Sequence, residues 1–241
     1  MRIGNAALGA AVGVVLLVPA SLPAAAYPQE RKSLAIRGGS PDPVSQEGPV
    51  SAAALLARTA TCQQVSLGKY RTDGGAPANV PVCGKRGAVF WKADMDIDCD
   101  GRPSRACNRR TDPLFQNTTA FQESGGRQLS AEGLPYVVVP GASRIWSHTR
   151  HGITGGSVAA VIHGGKVLYA VVGDTGPTDL IGEASYAAAK SLGINPDPRS
   201  GGTDAGVTYI VFTGPKASPI ESHRAAVARG DALARQFLGQ N

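Results

Sequence analysis

The chain is poor in aromatic residues, 5% of its 241 positions, and holds only four cysteines, four histidines, two tryptophans and two methionines. Its basic residues, among them Arg58, Lys69, Arg71, Lys85, Arg86, Arg109, Arg110, Arg144 and Arg150, are dispersed and not interleaved with aromatics. The excess of 24 basic over 18 acidic residues is therefore no nucleic-acid footprint, and no nucleic-acid partner is expected. A net charge of +6 bears on solubility more than on partners. The cysteines form no C-x-x-C pair, which argues against the zinc ribbon and finger patterns. His148 and His151, in "SHTRH", have no acidic neighbour in sequence and read as loop histidines. After the first residues, no segment is apolar over the roughly 20 positions a membrane-crossing helix needs.

The N-terminal residues match an export signal. Arg2 supplies a short positive start, residues 6–18 are apolar or small, and Ala24-Ala25-Ala26 fits a small-residue cleavage site. Residues 1–26 are expected to be a secretory signal peptide, leaving a secreted, extracellular protein with no membrane attachment after cleavage. Residues 27–48, rich in Pro, Gly and Ser, read as a flexible leader. Residues 49–241 are long enough for one domain with a sizeable core, expected to be monomeric. In an oxidising compartment Cys62, Cys83, Cys99 and Cys107 default to two disulfides. Of the three possible connectivities, sequence order favours Cys62–Cys83 and Cys99–Cys107, each closing a short loop.

The organisation is α+β, weighted to β. Residues 50–59 suit a short helix. "GAVFWKADMDID" (87–98) has strand composition, with Val89, Trp91, Ala93, Met95 and Ile97 on one face and acids on the other. "PYVVVP" (135–140) and "GVTYIVFTG" (206–214) read as strands, and 156–174 as a hairpin turning at Gly164-Gly165. Residues 182–192 suit a helix stopped by Gly193. Residues 219–238 suit another, with Ser218 as cap, Pro219 first and Glu221 completing a capping box. Residues 101–134 are loop-rich, long enough to help wall a cleft.

Two stretches carry chemistry. In "WKADMDIDCDG" (91–101), Asp94, Asp96, Asp98 and Asp100 recur at every second position, so a strand projects them from one face at roughly 6.6–7 Å intervals. A calcium loop beginning at Asp96 has Asp98, Asp100 and Gly101 correctly placed, but Cys107 stands at its twelfth position, where a bidentate Glu is needed. A turn at Asp100-Gly101, capped by Asp98, is the plainer alternative. In "VVGDTGPTDLIGEAS" (171–185), a strand delivers Asp174 and a helix opens at Glu183. Such a pair can work as general acid and base, as glycoside hydrolysis requires. Equally, Asp174 could brace its turn and Glu183 could complement a helix dipole.

"DMDIDCDG" together with "GDTGPTDLIGEAS" resembles the chitosanases of glycoside hydrolase family 75. The likeness runs from about Cys62 to Phe212 and is strongest at "FWKADMDIDCDG", "LPYVVVP", "GKVLYAVVGDTGP" and "IGEASYAAAKSLGI". The resemblance implies endo-hydrolysis of β-1,4-linked glucosamine in chitosan, with inversion and without a cofactor or metal. It implies Asp174 and Glu183 as the essential carboxylates, joined here by a connection shorter than in fungal members. Desolvation against a small apolar helix face favours Glu183 as the acid; a helix N-terminus, lowering its pKa, would favour the exchanged roles.

Chitosan is a polycation in mild acid, so Asp94, Asp96 and Asp98 would meet its ammonium groups, with Lys92 relieving part of their repulsion. Thr175 and Ser185 would orient the carboxylates. Tyr136 and Trp146 are candidates to stack on a sugar face, while Trp91 reads as core. Asn117, in "NTT", fits a glycosylation acceptor in a eukaryotic host. The "DTG…G" pattern is also similar to double-psi β-barrels of some lytic glycosidases, so a single domain around a barrel-like core with a few peripheral helices is expected. Two other readings remain: a glycosidase of another amino-sugar polymer such as peptidoglycan, and a non-catalytic expansin-like polysaccharide-binding module.

Overall fold

In the computed structural model, which describes residues 46–240, the strand signals close into a barrel. Helix α1 (Ala52–Arg58), capped by Ser51, precedes β1 (Gln63–Gln64), β2 (Cys83–Lys85) and β3 (Ala88–Asp98). Then follow β4 (Tyr136–Pro140), β5 (Val158–His163), β6 (Lys166–Gly176), β7 (Glu183–Ser185), α2 (Tyr186–Leu192), β8 (Thr203–Phe212) and α3 (His223–Leu238). The sheet order is β1-β2-β3-β7-β4-β6-β5-β8, and β8 also pairs with β3, which closes six strands on themselves. The β3–β7 and β4–β6 pairs are parallel and the other four pairs around the barrel antiparallel. The expected signal peptide and most of the expected leader lie outside the described residues. That leader gives way to ordered contacts by Glu47, whose amide donates to the Val167 carbonyl and whose carboxylate holds His223 and the Tyr169 amide.

Alternation sorts the strands into two apolar clusters. Ala88 and Phe90 on β3 join Tyr136, Val138, Val171 and Ile210, against α1 and α3. Val89, Trp91, Ala93 and Met95 join Val137, Val172 and Tyr209, against α2. With both faces covered, these strands read as nearly unbroken apolar runs. On β3 the alternation also explains the acids: past Phe90, the positions facing the first cluster are Lys92, Asp94, Asp96 and Asp98. The hairpin turns at Gly164-Gly165 with φ of 54° and 80°, the double positive φ of a type I′ turn. Both disulfides pair as expected, Cys62–Cys83 and Cys99–Cys107. Among the described residues no helix is long and apolar enough to cross a membrane.

Two element boundaries differ from expectation. Residues 183–185 are not a helix start; they pair in parallel with Asp96–Asp98 as β7, and Ser185 is the cap of α2, accepting from the Ala188 amide at 3.2 Å. Helix α3 begins at His223 under a Ser222 cap, not at Pro219, which follows a cis peptide bond. Glu221 completes no capping box: its carboxylate accepts from the amide and hydroxyl of Ser124, at 3.0 and 2.5 Å.

Candidate active site

Strand pairing places the two expected carboxylates in one row. Asp96 on β3 stands opposite Glu183 on β7. The pairing of Val137 with Ala184 puts Val138 on β4 beside Glu183, and Val138 in turn faces Asp174 on β6. Asp174 and Glu183 are thus two strands apart, about 9.5 Å between backbones, with Val138 between them. All four line one cleft of about 540 Å³.

A bulge delivers Asp174 there. Val137 pairs with Val172 but Val138 pairs with Asp174, so Gly173 is the extra residue. Without it, Asp174 would follow Val172 onto the opposite face; bulges re-aim side chains in this way. Gly173 also has to be glycine, because a Cβ there would stand 2.6 Å from the Tyr136 side chain.

The cleft is acidic. Asp96, Asp98, Asp100, Asp112, Asp174 and Glu183 line it, against a single basic residue, Arg199. The Arg199 guanidinium is engaged with the carbonyls of Thr111 and Arg110, at 2.9 and 2.6 Å. Burial, reinforced by Asp96, Asp174 and Asp100, pushes the Glu183 carboxyl up to about 7. Burial raises Asp174 as well, but amides of Ala120 and Thr175, each 2.7 Å from Oδ1, act against it. The Ala120 amide comes from the long loop that sequence composition marked as a cleft wall. Burial pushes Asp100 to about 6 and holds Asp98 well above the ordinary range, each opposed by a backbone amide 2.6 Å away. Burial thus favours the protonated form of Glu183, while the two amides at Asp174 across Val138 favour its charged form, a contrast that general acid–base chemistry can use.

Not every residue singled out in the sequence reaches the cleft. Thr175 and Asp98 line it, with Asp96. Asp94 does not: it is 3% exposed and clusters with Asp73 and Asp96. Lys92 is exposed on β3 and makes no ion pair among the described residues. Tyr136 is fully buried, so it cannot stack on a sugar; its hydroxyl donates to the Asp100 carbonyl at 3.0 Å and its ring packs on Gly173. Trp146 is 3% exposed and packs edge-on against Trp91. Ser185 acts below the site, joining the Tyr136 amide to the Leu134 carbonyl. His148 is buried, and the Nδ1 of His151 accepts from the Trp146 indole. The twelfth position of the calcium-loop pattern, Cys107, is bonded to Cys99. Carboxylate oxygens of Asp98, Asp100 and Asp174 nevertheless approach within 4.8 Å of one another, as do those of Asp73, Asp94 and Asp96.

Sequence reasoning missed Asp112, Leu114 and Arg199 at the cleft. Leu114 was findable as an apolar residue inside a polar loop; it is 81% exposed and forms part of the lining. Nothing local in sequence marks Arg199, which reaches the cleft by tying its own loop to residues 110–111.

The family of fungal chitosanases of glycosyl hydrolase group 75 matches residues 95–236, more than half of the chain. Endo-chitosanase C of Aspergillus oryzae is 37% identical over 136 residues, 54% of this chain but only 33% of that protein. Endo-chitosanase B of Aspergillus oryzae is 34% identical over 170 residues, covering 63% of this chain and 70% of the relative. An endo-chitosanase of Aspergillus fumigatus is 32% identical over 174 residues, covering 68% and 71%. This chain therefore spans about a third of one relative and some 70% of the other two. With the carboxylate pair inside the matched region, the chain belongs to glycosyl hydrolase group 75.

Proposed function

We propose that this protein is an endo-chitosanase that hydrolyses β-1,4 linkages between glucosamine units with inversion, Glu183 acting as general acid and Asp174 as general base. The observation that carries this reading is the Glu183–Val138–Asp174 row, with the two carboxyls on alternate strands of one acidic cleft. Spacing by two strands leaves room for a water beside the scissile bond, as inverting enzymes require; their carboxyls lie about 6.5–9.5 Å apart. Glu183 lies on a strand and not at a helix N-terminus, so the objection to its holding a proton falls away. It protonates the glycosidic oxygen, while Asp174 takes a proton from water attacking the anomeric carbon from the opposite face. An acidic cleft suits a polycation and repels the carboxylates of peptidoglycan. Two disulfides fit an oxidising compartment, in keeping with export.

Reducing-end release from highly deacetylated chitosan tests the proposal, with proton NMR of the first products reading the anomeric configuration. The expected result is rapid release of α-anomers. Binding without release would instead assign an expansin-like module, and β-anomers would mean retention. Gly176 offers a subtler check. A Cβ there would stand 2.5 Å from Glu183 Oε2 and 3.1 Å from Val138 Cγ1, displacing the acid and asking only a few tenths of an ångström of the core at Val138. Gly176→Ala is expected to lower kcat by about tenfold to a hundredfold with little change in Tm, measured by the same assay beside a thermal melt.

A further inference from the structure

Beside Glu183, on the side away from Asp174, lies a second acidic group. Carboxylate oxygens of Asp73, Asp94 and Asp96 all come within 4.8 Å of one another. Asp73 is brought there by main-chain pairing: the Arg71 amide donates to the Asp179 carbonyl and the Ile181 amide to the Arg71 carbonyl, both at 3.0 Å, which runs residues 71–73 alongside the approach to Glu183. Asp73 and Asp96 are exposed, whereas Asp94 is 3% exposed and its Oδ1 has no hydrogen-bond partner. The recess therefore has a buried, unsatisfied floor and an open rim. The Asp98–Asp100–Asp174 group differs, because backbone amides reach each of its carboxylates. Among the described residues no cation pairs with Asp73, Asp94 or Asp96; the ion pairs present engage Glu123, Glu47 and Asp231.

We propose that Asp73, Asp94 and Asp96 form a cation-binding recess that takes the protonated amine of one unacetylated amino-sugar unit, fixing a free amine as a requirement at a single position to one side of the scissile bond. The proposal rests on the chitosanase reading and adds a residue, Asp73, and a position-specific selectivity to it. Three clustered acceptors match the three donors of a primary ammonium, and each bond is charge-assisted. A calcium ion would need six to eight oxygens, against the three clustered carboxylates here. An acetylated amine is neutral with one N–H, and would leave the Asp94 oxygen unpaired. Because Asp96 lines the cleft and stands in register with Glu183, the recess opens one strand from the acid, on a fixed side of the cleaved bond.

The test uses the full chain in two assays. Glu183→Gln, which holds substrate uncleaved, is titrated calorimetrically with a glucosamine hexamer, alone and combined with Asp73→Asn or Asp94→Asn. Each added substitution is expected to weaken binding about tenfold or more. Asp73 is exposed, so its variant keeps the fold even if the Asp94 variant does not. In the second assay, products from partially acetylated chitosan are sequenced at their ends. Wild type is expected to show glucosamine without exception at one position, and Asp73→Asn a mixture there. Unchanged binding and unchanged product ends in Asp73→Asn would overturn the recess, as would stoichiometric calcium binding abolished by the same substitution. If wild type releases no reducing ends at all, the chitosanase reading itself fails; release with indifferent product ends sinks only the recess.

Discussion

Glu183→Gln and Asp174→Asn are each expected to lower reducing-end release from chitosan by about 10²–10⁴-fold, the range for loss of a positioned acid or base, while both variants are expected to stay folded. The fold survives because each substitution removes a charge from a site where charge is disfavoured. Burial and neighbouring acids raise both groups, Glu183 to about 7. The amide isosteres keep the shape of the row between β7, β4 and β6. At position 174 the amide oxygen of asparagine still accepts from the Ala120 and Thr175 amides, which hold Asp174 at 2.7 Å in the wild type.

The two variants should also fail differently. A glucosamine oligomer carrying a good aryl leaving group needs little protonation, so it restores part of the activity of Glu183→Gln and none of that of Asp174→Asn. Added azide, a nucleophile that needs no base, restores turnover only to Asp174→Asn. The opposite pattern of rescue would exchange the roles. A folded variant retaining near-wild-type release would show that the carboxylate was misidentified.

Much of this arrangement was legible before any coordinates. The barrel strands announced themselves as β-branched runs, and Gly164-Gly165 as their tightest turn, because local composition and tertiary burial agree there. Glu183 was legible as a residue type but not as a conformation. "EAS" opens an alanine-rich helix and has no strand signal of its own; it becomes β7 only because Asp96–Asp98 supply a parallel partner. The face of Asp174 was illegible for a related reason. Simple alternation from Val172 points it the wrong way, and only the bulge at Gly173, demanded by the packed Tyr136 ring, reverses it. Tyr136 itself looked available to a sugar because one aromatic in an apolar strand gives no sign of which side is covered. Asp73 stands 21 positions from Asp94, and its place beside Asp94 depends on the pairing of residues 71 and 179–181.

The same desolvation that suits Glu183 to catalysis makes the fold sensitive to alkali, and the expected effect is large. Glu183 rises from 4.5 to about 7, Asp94 from 3.8 to about 7 and Asp100 from 3.8 to about 6, each chiefly through burial. In unfolded chains these groups ionise near pH 4. Between roughly pH 4 and 7 the folded state therefore binds more protons than the unfolded state, and stability falls as pH rises through that window. The contribution is complete below the unfolded values and gone above the folded ones. At 1.36 kcal/mol per pKa unit, Glu183 alone accounts for about 3 kcal/mol. Asp94 and Asp100 add less than their separate shifts, because part of the repulsion is shared. For a domain of this size each kcal/mol moves Tm by about 2–4 °C, so Glu183 alone should place melting at pH 8 roughly 6–12 °C below melting at pH 5, with Asp94 and Asp100 widening the gap. Glu183→Gln removes one of these titrations, and should narrow the difference by the share of Glu183 while melting higher than wild type at pH 8. A Tm independent of pH from 5 to 8 would mean that the cleft carboxylates ionise without cost, which a cation resident among them would explain. Addition of a glucosamine oligomer in mild acid, where its amines are still protonated, separates those cases: a cleft still in need of cations is stabilised by it, whereas one already neutralised gains little.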